Sequence, residues 1–250
     1  MSPKRMPRVY LVRHGQCFRC LYRFITDMLA GETEWSLNGR HTGVTDLPLT
    51  ANGEKMVLEM SPRMIGEGKL INPAYLRHIL ISPRQRAQRT AELLFGENKP
   101  PVCNIITDPD VAEWDYGAYE GMLSKDIKKE RPNWSIWDDG CPPGQTPGES
   151  PAQMSARVDR VIAKVRALHE KAQNAVGNPE EADYSDVMIF SHGHFSRCFI
   201  ARWCDLPLKA GYHFAAEPGG LAVLGYQHKS LKEPSLLGLN WYTEDALERR

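Results

Sequence analysis

Charge of either sign cancels in this sequence: 31 Lys and Arg stand against 31 Asp and Glu in 250 residues. No global field therefore draws the chain to nucleic acid or to an anionic membrane, and any anion it binds must be held locally. No apolar run approaches the roughly 20 residues that span a bilayer, and residues 1–5 lack the apolar segment of a secretory signal. The expectation is a cytoplasmic protein, with the nucleus also open to it, that partners neither nucleic acid nor membrane. Cysteine is sparse as well. The six, at positions 17, 20, 103, 141, 198 and 204, show no framework spacing, and the Cys17-x-x-Cys20 pair has no second pair to complete a zinc site. Free thiols are expected. There is no internal repeat and no low-complexity tract, and the length suits one domain with a sizeable core.

Against that background, short apolar runs alternate with amphipathic ones, which predicts an α/β fold: a three-layer αβα sandwich on a mostly parallel sheet. Strands are expected over 9–12 (VYLV), 77–82 (RHILIS), 102–107 (VCNIIT), within 186–194 (DVMIFSHGH) and, last, over 221–227 (LAVLGYQ). A helix opens near residue 50, with Thr50 placed to cap it; a second runs from about Arg84 to Phe95 and stops at Gly96. A long amphipathic helix occupies 149–172, with Ser150 as cap and Pro151 in its first position. Between the middle elements, 131–149 is rich in proline, glycine and tryptophan. It is either a lid or pocket wall, or a surface excursion pinned by Trp134 and Trp137.

Two of the apolar strands end in the same way, in Arg13-His14-Gly15 and in Ser191-His192-Gly193-His194. Ligands of open α/β sheets bind beyond the carboxyl ends of the strands, so His14 and His192 are expected to meet at one sheet edge. A third strand leaves through Ser82-Pro83 into a helix start carrying Arg84, Arg86 and Arg89, where free N–H groups and guanidinium forks both suit an anion. In VAEWDYGAYEG (111–121), Glu113 precedes a glycine-bearing turn, with Asp115 as an alternative acid.

The set R-H-G (13–15), S-P-x-x-R-A (82–87), E-x-x-x-G-x-x-x-G (113–121) and S-H-G-H (191–194) resembles the histidine phosphatase superfamily, over nearly the whole chain. The stretches TEWSLNGRHTGVTDLPLTANGE and EWDYGAYEGM look most like its fungal branch containing sedoheptulose-1,7-bisphosphatase. The resemblance implies a metal-independent phosphatase, needing no cofactor, whose partner is a small sugar phosphate. His14 would become the phosphohistidine, and Arg13, Arg86 and a protonated His192 would hold the phosphoryl oxygens. Glu113 would exchange protons with the leaving group and with water. These roles match what phosphoryl transfer requires: a nucleophile, charge neutralisation and leaving-group protonation. It further implies substrate contacts from Thr42, Thr33, His41, Tyr116 and Arg197, with Arg40 and Arg84 as additional arginines and His194 beside them. A phosphoglycerate mutase and a non-catalytic phosphate-binding protein remain alternatives, and oligomeric state is open.

One segment departs from the pattern. Relatives run from R-H-G directly into a T-E-W-S stretch, whereas here residues 16–31, QCFRCLYRFITDMLAG, intervene. Without them the chain reads VRHGETEWSLNGRHTG. The degenerate codons permit a splice donor in a GGT codon for Gly15, an acceptor across GCA for Ala30 and the first base of Gly31, and a fungal branch point across Thr26-Asp27. These 16 residues are therefore expected to be an in-frame intron that has been translated, the rival being a genuine lid. Misplacing the loop after a nucleophile by about 1 Å can cost on the order of 100-fold in rate. Removing residues 16–31 is accordingly expected to raise phosphatase turnover by about that factor. Equal activity of the two chains would instead mark the segment as a tolerated loop.

Overall fold

The computed structural model describes residues 5–14, 39–96, 100–175 and 185–241. The 16–31 segment and Thr33 lie outside them. Among the described residues, a sheet of six strands has the order β3-β2-β4-β1-β5-β6: β1 (Val9–Arg13), β2 (Leu76–Ile81), β3 (Asn104–Thr107), β4 (Asp186–Ser191), β5 (Leu221–Tyr226) and β6 (Pro234–Trp241). β3, β2, β4 and β1 pair in parallel, and β5 pairs antiparallel to both β1 and β6. The mostly parallel sheet expected from the sequence is present.

Strand alternation sorts the apolar residues into two cores. Val9, Leu11, Leu80, Val187 and Ile189 face helices α5 (Pro151–Asn174) and α6 (Gly193–Trp203), through Val158, Val161, Val165, Phe195 and Phe199. Tyr10, Val12, Ile79, Met188 and Phe190 face α1 (Ala51–Met64) and α2 (Gln85–Phe95), through Val57, Met60, Ala87 and Leu94. Hence the three layers. β4 and β5 are buried along their whole length, as a sheet covered on both faces requires. The predicted caps are in place: Thr50 Oγ1 accepts from Gly53 N, and Ser150 and Gln153 close a reciprocal capping box. No described helix is long and apolar enough to cross a membrane.

The strand at 221–227 is not the last. β6 follows it as an edge strand that begins at Pro234 and contains Gly238, residues that argue against a strand unless it lies at an edge. Two short helices also go beyond the sequence reading, α3 (Ser124–Glu130) and α4 (Ile136–Asp139). The second lies inside 131–149, which is pinned rather than loose. Trp134 is buried and donates Nε1–H to Gly140 O, and Trp137 stands edge-on to Trp114.

One buried imidazole joins α5 to the sheet. His169 is fully enclosed, its Nδ1 2.8 Å from Tyr226 Oη, and burial pulls its pKa down to about 3. The unfolded chain protonates this histidine below about pH 6.5 while the folded chain does not, so folding loses stability as pH falls from there toward 3. Between pH 6.5 and 5 that loss is about 2 kcal/mol from His169 alone. Urea unfolding of His169→Phe should show a correspondingly flatter dependence over this interval. An unchanged slope would overturn the assignment.

Candidate active site

Strand register brings the two histidines together. β1 and β4 are parallel neighbours with Arg13 opposite Ser191, so the next residues, His14 and His192, leave the sheet side by side. The pairing continues one step past the strands, where His14 N donates to Ser191 O at 3.0 Å. The two imidazole centroids lie 4.7 Å apart, nearly edge-to-face. β2 supplies the third member at the same edge: Ser82 N donates to Phe190 O, and Ser82 Oγ lies 2.6 Å from His192 Nε2.

Arg86, the second residue of α2 and wholly buried, links them. Its Nε–H reaches both His14 Nε2 at 3.1 Å and His192 Nδ1 at 3.3 Å. A guanidinium can only donate, so both of those nitrogens are unprotonated. Its remaining donors go to the carbonyls of Thr45, Thr42 and Gly43. Burial lowers the Arg86 pKa to about 10, still charged at neutral pH. The same burial, followed by the charges of Arg86 and Arg13, drives the His14 pKa well below its ordinary value. His192 is driven down by burial, Arg86 and His14, so the protonated His192 of the sequence reading is neutral here: Nδ1 accepts from Arg86, and Nε2–H faces Ser82.

The 42–46 loop that receives Arg86 is gripped from several sides. Glu120 accepts the N–H groups of Gly43 and Thr45, and Arg84 Nε donates to Gly43 O. Asp46 accepts Gln85 N at the amino end of α2. That helix end, expected to greet an anion, is therefore capped by the protein's own carboxylate, and Arg84 braces a loop instead of facing ligand. Gly43 is obligatory on packing grounds, since a Cβ there would meet Trp114 O at 2.3 Å.

The amino end of α6 is likewise taken by a carboxylate. Glu113 Oε1 accepts from Trp114 N and Phe195 N, both at 2.9 Å, and Oε2 from His194 N at 3.0 Å. With about two lone-pair sites on each oxygen, Oε1 is filled and Oε2 keeps one acceptor position. Asp115 is excluded from the alternative role. Its oxygens bind Gly117 N, Thr146 Oγ1 and Gly148 N, building a turn.

Above this floor opens a cavity of about 460 Å³. Arg13, His14, Glu113, Thr42, His41, Tyr116 and Arg197 all line it, together with Arg40, His194 and the 212–217 segment. Arg86 and His192 lie beneath. Arg13 is steadied by Ala216 O at 2.6 Å, and Arg197 donates to the carbonyls of Gly211 and Tyr212 while its guanidinium carbon sits 4.8 Å from the centre of the Trp137 ring. Tyr116 Oη and His194 Nδ1 are 2.8 Å apart, and His41 packs on Tyr116 with its pKa lowered by burial to about 4. None of the 131–149 segment lines the cavity, so it is not a pocket wall. Among the described residues no group of three His, Cys, Asp or Glu could hold a metal ion.

The residues missed from sequence are supports: Glu120, Asp46, and the Glu149–Arg157 ion pair behind Glu113. Only Glu120 carried a signal, lying within the 113–121 motif.

Comparison with known proteins places the chain as a whole in a family. The model of the histidine phosphatase superfamily (branch 1) matches residues 30–240. The sedoheptulose 1,7-bisphosphatase of Saccharomyces cerevisiae is 33% identical, covering 94% of this chain and 93% of its own. An acid phosphatase of Mycobacterium tuberculosis is 36% identical, over 86% and 91% of the two chains. Among solved structures, that of an open reading frame from M. tuberculosis superposes with a TM-score of 0.66 at 31% identity, over 94% of this chain and 98% of the other.

Arg86→Lys tests the floor. A lysine offers a single point charge that cannot bridge two imidazoles and three carbonyls at once, so kcat/KM for phosphoester hydrolysis should fall on the order of 10²–10³-fold. Wild-type kinetics in that variant would show the bridge to be dispensable.

Proposed function

The chain belongs to the histidine phosphatase superfamily, and on that footing we propose that it hydrolyses a ketose bisphosphate, sedoheptulose-1,7-bisphosphate foremost, through a phosphohistidine on His14. It is a phosphoric monoester hydrolase, as its named relatives are phosphatases. The observation that carries the proposed chemistry is the Arg86 bridge, which holds Nε2 of a neutral His14 as a lone pair beside a buried cation.

A phosphoryl group entering the cavity offers Arg86 and Arg13 better acceptors than imidazole. Arg86 turns its N–H to a phosphoryl oxygen and frees His14 Nε2. The Nε2 lone pair attacks phosphorus as the ester P–O bond breaks, and the departing alkoxide takes a proton from Glu113 Oε2. Water then attacks the phosphohistidine and gives its proton back to Glu113. The P–N bond breaks, and neutral His14 and free phosphate return. The guanidinium groups supply the charge that metal ions supply in kinases, so the reaction runs without one. A phosphoryl group that enters as its monoanion can hand its proton to His192 Nδ1, which then joins them as a donor, and the proton leaves again with the released phosphate.

Charge distribution at the rim supports a bisphosphate. Arg197 and Arg40 line the cavity, as Arg86 does not, and their guanidinium groups are oriented by backbone carbonyls. They would take the second phosphate, with Thr42, His41, Tyr116 and, beyond the described residues, Thr33 meeting the sugar.

The test is phosphate release from sedoheptulose-1,7-bisphosphate and fructose-1,6-bisphosphate in EDTA, with 3-phosphoglycerate as the control for mutase activity. His14→Ala should lose at least about 10⁴-fold in kcat, as removal of a nucleophile does. An acid-labile, base-stable phosphoprotein should form on the wild-type chain alone. Turnover by His14→Ala, or mutase turnover exceeding hydrolysis, would overturn the reading.

A further inference from the structure

The residue that sets the geometry of proton transfer does not touch the cavity. Arg157 lies in the second turn of α5, where its neighbours in sequence serve the hydrophobic core, yet its guanidinium is nearly buried and every edge of it is used. Nη1 donates to Asp110 O at 2.9 Å and Ala112 O at 2.7 Å, and Nη2 donates to Glu113 O at 3.2 Å. Nε and Nη2 also form a two-pronged pair with Glu149, at 2.9 and 2.8 Å. Glu149 extends the grip past Glu113. Its carboxylate accepts Asp115 N, and its main-chain carbonyl accepts the indole N–H of Trp114. One ion pair thus holds the backbone on both sides of Glu113.

That segment is short of regular structure. Residues 109–111 form a single 3-10 turn and 112–116 form neither helix nor strand, so no ladder of backbone bonds fixes them. Three of the four carbonyls from Asp110 to Glu113 find their donors on this one side chain, and the fourth, Val111 O, accepts from Ser191 Oγ. The Glu113 carboxylate, in turn, must present Oε1 to two N–H groups and Oε2 to one, an arrangement that leaves a single acceptor position for the migrating proton. A rotation of the Glu113 backbone would redistribute those bonds.

We propose that Arg157, together with Glu149, is a positioning residue for proton transfer by Glu113. It bridges the carbonyls of residues 110, 112 and 113 to the Glu149 carboxylate and so holds Glu113 Oε2 at the leaving group. The inference rests on the role of Glu113 in the proposed reaction.

Leaving-group dependence separates this role from general structural support. The alkoxide of a sugar phosphate needs its proton as the P–O bond breaks, whereas nitrophenolate departs without one. The ratio kcat/KM reports only the steps up to that departure, so the later attack by water does not blur the comparison. For Arg157→Gln, kcat/KM on the sugar bisphosphate should fall on the order of 10²-fold, the lower range for loss of general acid catalysis, while that for p-nitrophenyl phosphate should stay within about threefold. Glu149→Gln keeps the shape of the partner and removes its charge. It gives the same pattern in weaker form and serves if Arg157→Gln does not fold. Added to Glu113→Gln, the Arg157 change should cost nothing more, because both act through one group. Equal losses on the two substrates, or additive losses in the double variant, would overturn the inference while leaving Glu113 in its role. If Glu113→Gln itself shows no leaving-group dependence, the proton-donor reading fails and the inference fails with it.

Discussion

A buried cation with no anion among its hydrogen-bond partners governs this site. Arg86 is fully enclosed, and all its hydrogen-bond partners are neutral: two imidazole nitrogens and three backbone carbonyls. Burying a charge that way is costly unless dipoles surround it. The 42–46 loop meets that requirement, since its peptide planes are turned by Glu120 on the N–H side and by Arg84 and Arg86 on the carbonyl side. Much else in the floor follows. The histidines stay neutral first because they are buried and then because the guanidinium is near, and a dianion entering the cavity brings the negative charge that none of the hydrogen-bond partners of Arg86 supplies. Preorganisation of this kind stabilises developing negative charge with little rearrangement at the moment of reaction.

The same arrangement explains why the helix termini are not the anion site. The amino ends of α2 and α6 both point to this edge of the sheet, and their free N–H groups would otherwise attract phosphate. Asp46 takes one and Glu113 the other. At α6 the substitution has a purpose, because the helix end fixes a carboxylate whose remaining lone pair can move a proton. In the proposed reaction, recognition of the phosphoryl group therefore falls to guanidinium forks, which can follow its oxygens as bonds form and break, while peptide N–H groups hold the carboxylate in place.

How much of this was readable from the sequence depends on where the information is stored. The histidines, Arg13 and Ser82 were legible because each ends a buried parallel strand, and a strand's apolar run locates its own carboxyl end. Glu113 and Arg86 were legible through motif spacing. β6 was hidden because edge strands tolerate proline and glycine, the residues by which strands are discounted. The anion-binding reading of the α2 terminus failed for a different reason: its cap, Asp46, comes from a loop 39 residues earlier, and nothing local announces it. Arg157 was invisible in the same way. In an amphipathic helix an arginine reads as a solvated face, and only the tertiary structure reveals that three carbonyls from 44 to 47 residues away depend on it.

The division between rigid floor and open rim bears on how such a fold changes substrate. The groups proposed to act on phosphorus, His14, His192, Arg13 and Arg86, come from strand ends and a helix start, and each is locked by partners from at least one other element. Many of the groups around the rest of the cavity come from connecting segments at 39–42 and 212–217, where side chains such as Tyr212 are exposed, with His194 and Arg197 added from α6. Replacing a rim residue disturbs no buried charge, whereas replacing a floor residue leaves Arg86 or Glu113 with an unmatched group, a cost of several kcal/mol for buried ions. Substrate preference can thus drift across relatives that keep one chemistry, and identity over the whole chain predicts the reaction type better than it predicts the sugar. Under the proposed reaction the discriminating element is the spacing between Arg86 and Arg197, because the proposed bisphosphate would have to span it with both ends held at once.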